Sequence, residues 1–222
     1  MTRPQGVVFD VDGTLVDNMA LHAEAFVRFC ARHGLPPFTT DMRARLDGKR
    51  NRDIFPVLFE RTLGEDELRA FTSEKEGLYR ELSCGVLAPL PGLVDLLDRL
   101  EAARVPVALA TSAPAENVAH TLRELGLTER LTRVVRSDQV PRGKPYPDVF
   151  LEAARVIGAP PERCIAFEDA PMGVKAARAA GMHCVAITTT FSREAFAAED
   201  AEPDETVADF AEYLTSAGTW LA

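Results

Sequence analysis

At 222 residues with 46% hydrophobic content, the chain can hold one large or two modest globular domains. Its net charge of −9 argues against a surface built for nucleic acid or anionic lipid, which needs clustered Lys and Arg. No apolar stretch approaches the ~20 residues that span a bilayer, and MTRPQ followed by a short apolar run lacks the core of a secretory leader, so a cytoplasmic location is expected.

The first element is an apolar run, Val7, Val8 and Phe9, which reads as a strand covered on both faces. It ends in Asp10-Val11-Asp12-Gly13-Thr14. On an extended strand Asp10 and Asp12 share parity, so both carboxylates are expected on one side of its C-terminal edge. Such a pair calls for a cation or a shared proton. Taken alone, Asp-X-Asp-Gly is equally a solvated turn. Asp17 is the expected cap of a helix reaching about Arg32, with Leu21, Ala25, Phe26 and Phe29 on its apolar face and Gly34 behind it. From Thr39 to about Cys84 the apolar spacing stays helical, carried by Met42 and Leu46, then Ile54 and Leu58, then Phe71, Leu78 and Leu82.

From Pro91 the rhythm alternates. Helices are predicted at 93–103, 117–125, 147–158 and 172–180, strands at 105–110, 134–135, 164–167 and 184–187, and a last helix at 209–215. Alternation with short connections predicts an α/β fold: a doubly wound, parallel, Rossmann-like core sheet made from residues 1–16 and 89–222. The helical stretch 17–88 is then an inserted all-helical domain, with hinges near Leu15–Asp17 and Ala88–Pro91. Cys30, Cys84, Cys164 and Cys184 are scattered without metal-ligand spacing and read as reduced thiols. Nothing in the apolar pattern demands a partner, so a monomer or weak dimer is expected.

Three further pieces follow the paired aspartates in order. ALATSA (108–113) is an apolar run ending in the hydroxyls of Thr111 and Ser112, Lys144 sits in RGKPYPD, and IAFEDAPMG (165–173) ends its apolar run in Glu168-Asp169. In open α/β sheets ligands bind beyond the carboxyl ends of the strands, which is where these motifs fall. Together the four motifs resemble the haloacid dehalogenase-like superfamily, and its β-phosphoglucomutase and sugar-phosphate phosphatase branch with a helical cap. That resemblance implies a phosphatase in which Asp10 is the nucleophile forming an aspartyl-phosphate and Asp12 is the acid, then the base. It implies Thr111, Ser112 and Lys144 on the phosphoryl group. The metal would be held by Asp10, the Asp12 backbone carbonyl and Asp169, with Glu168 a ligand or a partner that orients Asp169. Dehalogenating relatives lack the second aspartate, so Asp12 speaks against that chemistry.

Charge supports the metal. A phosphate monoester carries nearly −2, and Asp10, Glu168 and Asp169 add three negative charges if ionised. At 4 Å each unit pair costs about 4 kcal/mol at an effective dielectric of 20, so Mg²⁺, a hard oxygen-seeking ion, is the expected cofactor. Neighbouring carboxylates are also expected to raise the pKa of Asp12.

The cap sets the substrate, a small phosphorylated metabolite, here expected to be a sugar phosphate. His22 reads as a core histidine or as the counterpart of one near the mutase active site. The segment LDGKRNRDIF (46–55) resembles a substrate-specificity loop, making Gly48, Lys49, Arg50, Asn51 and Arg52 candidates, with Lys75 on a Lys-x-x-x-Tyr spacing to Tyr79. Two departures from the mutase stand out: Asn51 replaces an arginine that grips a distal phosphate, and Pro114 follows Ser112-Ala113 where the mutase has Ser-Lys. A phosphatase is therefore expected, with a phosphosugar mutase or an inorganic pyrophosphatase as alternatives. In the last case Arg50, Arg52 or Lys75 would meet the second phosphoryl group. Asn117 reads as helix N-terminal chemistry. A silent phospho-ligand sensor is disfavoured, because a sensor needs no nucleophile.

Overall fold

A computed structural model describes residues 3–46 and 49–216. Six strands, β1 (Gly6–Phe9), β2 (Val107–Thr111), β3 (Val134–Arg136), β4 (Cys164–Glu168), β5 (His183–Ile187) and β6 (Glu205–Val207), form one sheet in the order β3-β2-β1-β4-β5-β6. Every pairing is parallel. Between β1 and β2 the chain inserts α1 (Met19–Arg32), α2 (Thr40–Leu46), α3 (Asn51–Leu58) and α4 (Glu65–Ser83) before α5 (Leu93–Ala102) returns to the sheet. The remaining helices are α6 (Ala115–Glu124), α7 (Asp148–Ile157), α8 (Pro171–Ala179), α9 (Arg193–Ala198) and α10 (Phe210–Ser216).

Strand alternation sorts the side chains onto two faces. Val7, Phe9, Leu109, Ile165 and Phe167 belong to one buried cluster, which the leucines of α5, Val118 and Leu122 of α6, and Phe210 and Tyr213 of α10 complete. Phe9 stacks on Phe167 at 5.0 Å, and Phe210 closes on both rings edge-on. Val8, Ala108, Ala110, Ala166 and Ala186 face the other way, under α7 and α8. The small residues on that face let Val149, Phe150, Ala153 and Ala177 sit close to the strands. Coverage on both faces is why these strands read as continuous apolar runs.

The inserted helices have a core of their own. Ala25, Phe26, Phe29, Ile54, Phe55, Leu58, Leu78 and Tyr79 form a third buried cluster. Phe29 meets Phe55 at 5.1 Å and Phe71 at 5.7 Å, and Phe59 stacks on Phe71 at 4.6 Å. The two chain crossings between this cluster and the sheet lie side by side, since Leu90 N–H donates to the Leu15 carbonyl at 2.9 Å.

One local expectation is corrected, and two short elements were missed. Asp17 is exposed and outside the helix; Asn18 holds the N-cap position of α1, and its side chain does not cap. Strand β6 was not foreseen, because an edge strand of three residues with one buried side chain, Val207, carries almost no periodic signal. Helix α9 was likewise missed; it is six residues long and buries Phe196. Among the described residues no helix is long and apolar enough to cross a membrane.

The aromatic cluster predicts a large cost for truncation. Phe29→Ala, at a fully buried ring, is expected to destabilise the protein by about 3–5 kcal/mol in urea unfolding. A loss below ~1 kcal/mol would mean that the inserted helices do not depend on this ring.

Candidate active site

The strand order reverses at β1 and β4: the chain steps outward through β2 and β3 on one side, then through β5 and β6 on the other. Neighbouring strands there feed loops of opposite direction, which opens a crevice beyond their carboxyl ends. Asp10 follows the last residue of β1, and Glu168 and Asp169 lie at the end of β4. Register fixes the approach, since Asp10 N–H donates to the Phe167 carbonyl at 2.9 Å.

Lys144, from the loop before α7, reaches into this crevice with its ammonium buried. Its Nζ donates to Asp10 Oδ1 and to Glu168 Oε1, each at 2.5 Å. Glu168 is then fully engaged, because Oε2 accepts the backbone N–H groups of Asp169 at 2.9 Å and Ala170 at 3.2 Å. A β-carbon at Gly173 would fall 1.8 Å from Glu168 Oε1, so glycine there makes room for the carboxylate. Asp169 is held differently. Its Oδ1 accepts a long 3.4 Å bond from Thr14, whereas Oδ2 is buried without a hydrogen-bond partner among the described residues. Gly13, at φ +79°, turns the backbone past it; a β-carbon there would lie 2.0 Å from Asp169 Oδ2.

Carboxylate oxygens of Asp10, Glu168 and Asp169 all lie within 4.8 Å of one another. Burial, then the charges of Glu168 and Asp12, pushes the Asp10 carboxyl up to about 8 even against Lys144. Burial, then the charges of Glu168 and Asp10, raises Asp169 well above the ordinary carboxylate range. A site that one ammonium leaves short of positive charge, with an orphaned buried oxygen and only oxygen donors, fits a hard divalent cation. Asp10, Glu168 and Asp169 are the residues that could hold it, Glu168 being the one already bonded to Lys144 and to two backbone N–H groups.

Asp12 departs from expectation. The strand ends at Phe9, and Asp12 lies in the turn beyond it, bridged to Val16, so parity does not place it beside Asp10. Its Oδ1 accepts from Asn18 Nδ2 at 2.7 Å and lies 3.5 Å from His22 Nε2. Burial pushes its pKa up, but His22, Asn18 and Lys75 outweigh burial and hold it below the ordinary value, the reverse of the predicted direction. His22 itself stacks on Tyr79 at 3.7 Å, and Lys75 Nζ stands 2.9 Å from its Nδ1. An ammonium has no lone pair to offer, so Nδ1 accepts and Nε2 carries the proton that faces Asp12.

Around these groups runs a cleft that is open to solvent. It brings together Asp10, Asp12, His22, Lys49, Asn51, Lys75, Thr111, Ser112, Lys144, Glu168 and Asp169 of the residues the sequence singled out. Thr111 Oγ1 accepts from Ala113 N–H at 3.0 Å, which leaves its proton to donate. Arg50 and Arg52 do not line it. Arg50 pairs with Asp53 at 2.8 Å and lies over Gly143; Arg52 pairs with exposed Glu65 at 3.0 Å. Neither guanidinium stands on the cleft wall in this structure; each is paired with a nearby carboxylate instead. Gly48 lies outside the described residues.

The cleft also holds Glu76, which the sequence reading passed over. Glu76 is 3% exposed beside Lys75, in the middle of the buried stripe of α4; two charged residues inside an apolar period were the available signal. Asn117 is buried and does not act at its own helix terminus as expected. Its Nδ2 donates to Glu76 Oε2 at 2.5 Å and its Oδ1 accepts from Arg80, tying α6 to α4. Asn18 accepts Gly13 N–H on Oδ1 and donates through Nδ2 to Asp12 and, at 2.6 Å, to Tyr79 Oη.

Comparison with known proteins agrees with this geometry. The family model of the haloacid dehalogenase-like hydrolases matches residues 4–181. The chain is 35% identical to the phosphorylated carbohydrates phosphatase of Thermotoga maritima, over 80% of this chain and 82% of that one. It is 33% identical to the fructose-1-phosphate phosphatase YqaB of Escherichia coli, over 82% and 96% respectively. Among solved structures, CbbY of Rhodobacter sphaeroides in complex with xylulose-(1,5)bisphosphate superposes with a TM-score of 0.82 at 26% identity, covering 94% of this chain and 96% of that one. The parallel sheet, the acidic crevice at its reversal point and these matches have one common reading: the chain belongs to the haloacid dehalogenase-like hydrolase family.

Proposed function

We propose that the chain is a Mg²⁺-dependent phosphohydrolase of small phosphorylated metabolites, sugar phosphates foremost, working through an aspartyl-phosphate on Asp10. The observation that carries this reading is the buried Lys144 ammonium shared by Asp10 and Glu168 beside the unpartnered Asp169 oxygen. Residues 17–88 act as the cap over the cleft, and residues 1–16 with 89–222 as the core. A divalent cation held by Asp10, Asp169 and the Asp12 backbone carbonyl would offset the phosphoryl charge and keep the buried carboxylates ionised.

The protein's own groups then divide the work. Lys144 grips Oδ1 of Asp10 and fixes the carboxylate's rotation, so Oδ2 is the oxygen assigned to attack phosphorus. The Thr111 hydroxyl, with Ser112 beside it, donates to phosphoryl oxygens, and the Lys144 charge stabilises negative charge spreading in the transition state. As the bond to the leaving oxygen breaks, Asp12 delivers its proton to that oxygen. The resting Asp12 is held ionised by His22 and Asn18; an arriving phosphate dianion raises its proton affinity, and it takes up from solvent the proton it then delivers. Asp12 then takes a proton from the water that attacks the aspartyl-phosphate, and phosphate leaves with Asp10 restored.

The mutase alternative needs a second phosphate grip. Asn51, at the position of the mutase arginine, donates to Glu76 at 2.7 Å instead. The pyrophosphatase alternative relied on Arg50, Arg52 and Lys75, whose charges are paired with Asp53, Glu65 and Glu76. Both pairings favour hydrolysis of a monophosphate.

A panel of sugar phosphates and pyrophosphate, assayed for phosphate release with and without Mg²⁺, tests the proposal; activity independent of any divalent ion, or none on the whole panel, would overturn it. Asp10→Asn should lower turnover by about four orders of magnitude or more while leaving the melting temperature nearly unchanged. Mg²⁺ at ~100 times its Kd should stabilise the parent by about 2.7 kcal/mol in urea unfolding. In Asp169→Asn that increment should largely vanish, and an equal increment in both proteins would remove Asp169 from the metal site.

A further inference from the structure

Lys75 and Glu76 are consecutive on α4, both buried, and both line the cleft. Their ammonium and carboxylate pair at 2.9 Å, so the cationic character that Lys75 lends the cap wall is cancelled where it arises. Glu76 is held from several directions. Oε1 also accepts from Asn51 of α3, and Oε2 accepts from Asn117 of α6, across the boundary between inserted helices and sheet. Burial pushes its pKa up, but Lys75, His22 and Asn51 outweigh burial and keep it below the ordinary value, so the carboxylate is charged.

We propose that Glu76 is a specificity determinant: its buried carboxylate bars a second phosphoryl group from the cap end of the cleft, so the ligand is the monophosphate of an uncharged polyol. The inference rests on the phosphohydrolase reading for its first phosphoryl group and adds what the rest of the ligand must be. Lys144 is committed to Asp10 and Glu168, and Lys75 to Glu76. Lys49 is the remaining ammonium lining the cleft among the described residues. One lysine does not offset a phosphate dianion brought beside Glu76 with its hydration stripped. Uncharged hydroxyls carry no such penalty. Met19, Leu46 and Ile54 on the same lining suit the C–H faces of a polyol, and the Lys75–Glu76 pair offers both a donor and an acceptor. Since a chain of the same fold was captured with a bisphosphate, the discrimination belongs to this cap wall and not to the fold.

The test is equilibrium binding by calorimetry in the Asp10→Asn background with Mg²⁺, using inorganic phosphate and fructose 1,6-bisphosphate as probes. The parent is expected to bind the bisphosphate at least about tenfold more weakly than phosphate. Glu76→Gln, and separately Asn51→Lys, which adds a cation at a half-buried position and leaves Glu76 in place, should each shift that ratio toward the bisphosphate by about tenfold or more. Bisphosphate binding by the parent as tight as phosphate, a ratio unmoved in both variants, or no bisphosphate binding by either variant would overturn the proposal. A melting change without a ratio change counts as overturning too. Failure of the phosphate-release panel would remove hydrolysis and leave this binding ratio standing; an active panel with an unmoved ratio would remove only the role of Glu76.

Discussion

One ammonium among three buried carboxylates governs the rest of this structure. Lys144 bridges Asp10 and Glu168 with two 2.5 Å bonds, each between groups that would be costly to bury alone. Its single positive charge is shared among three carboxylates, and it makes no hydrogen bond to Asp169, whose buried Oδ2 has no hydrogen-bond partner among the described residues. The fold spends much of its local detail on this arrangement. Two glycines clear space for carboxylate oxygens, two backbone N–H groups hold Glu168, and the strand register delivers Asp10 to the crevice. The remaining deficit of positive charge is what a divalent cation and a phosphoryl group together would meet.

The core sheet and the residues that line its crevice were legible because they depend on signals that survive in one dimension. Strands covered on both faces are continuous apolar runs, and residues at their carboxyl ends converge wherever the sheet reverses. Asp10, Thr111, Lys144 and Asp169 could therefore be gathered without knowing any distance. Strand β6 and helix α9 were not legible, since three edge residues and a six-residue helix with one buried phenylalanine leave no period to read.

Orientation was harder to read than position. Asp12 was placed at the right end of the right strand, yet the strand ends at Phe9 and the turn beyond it aims Asp12 at Asn18 and His22, with a pKa shift opposite to the one expected. Arg50 and Arg52 were read as part of a substrate-specificity loop, and the structure pairs them with Asp53 and Glu65. Asn117 was placed on the right turn, but its partners come from α4, far away in sequence. In each case the deciding contact is a hydrogen bond or ion pair whose partner no local pattern announces.

The side chain of Asn18 has three grips and one rigid amide plane. It holds the backbone at Gly13, the carboxylate of Asp12 and the phenol of Tyr79, which belongs to the longest cap helix. A planar group cannot yield to one partner while staying still for the other two. Any sliding of α4 over α1 must therefore either tug the Asp12 carboxylate along with it or snap one of the three links, so the stance of the inserted helices is tied mechanically to the floor of the crevice.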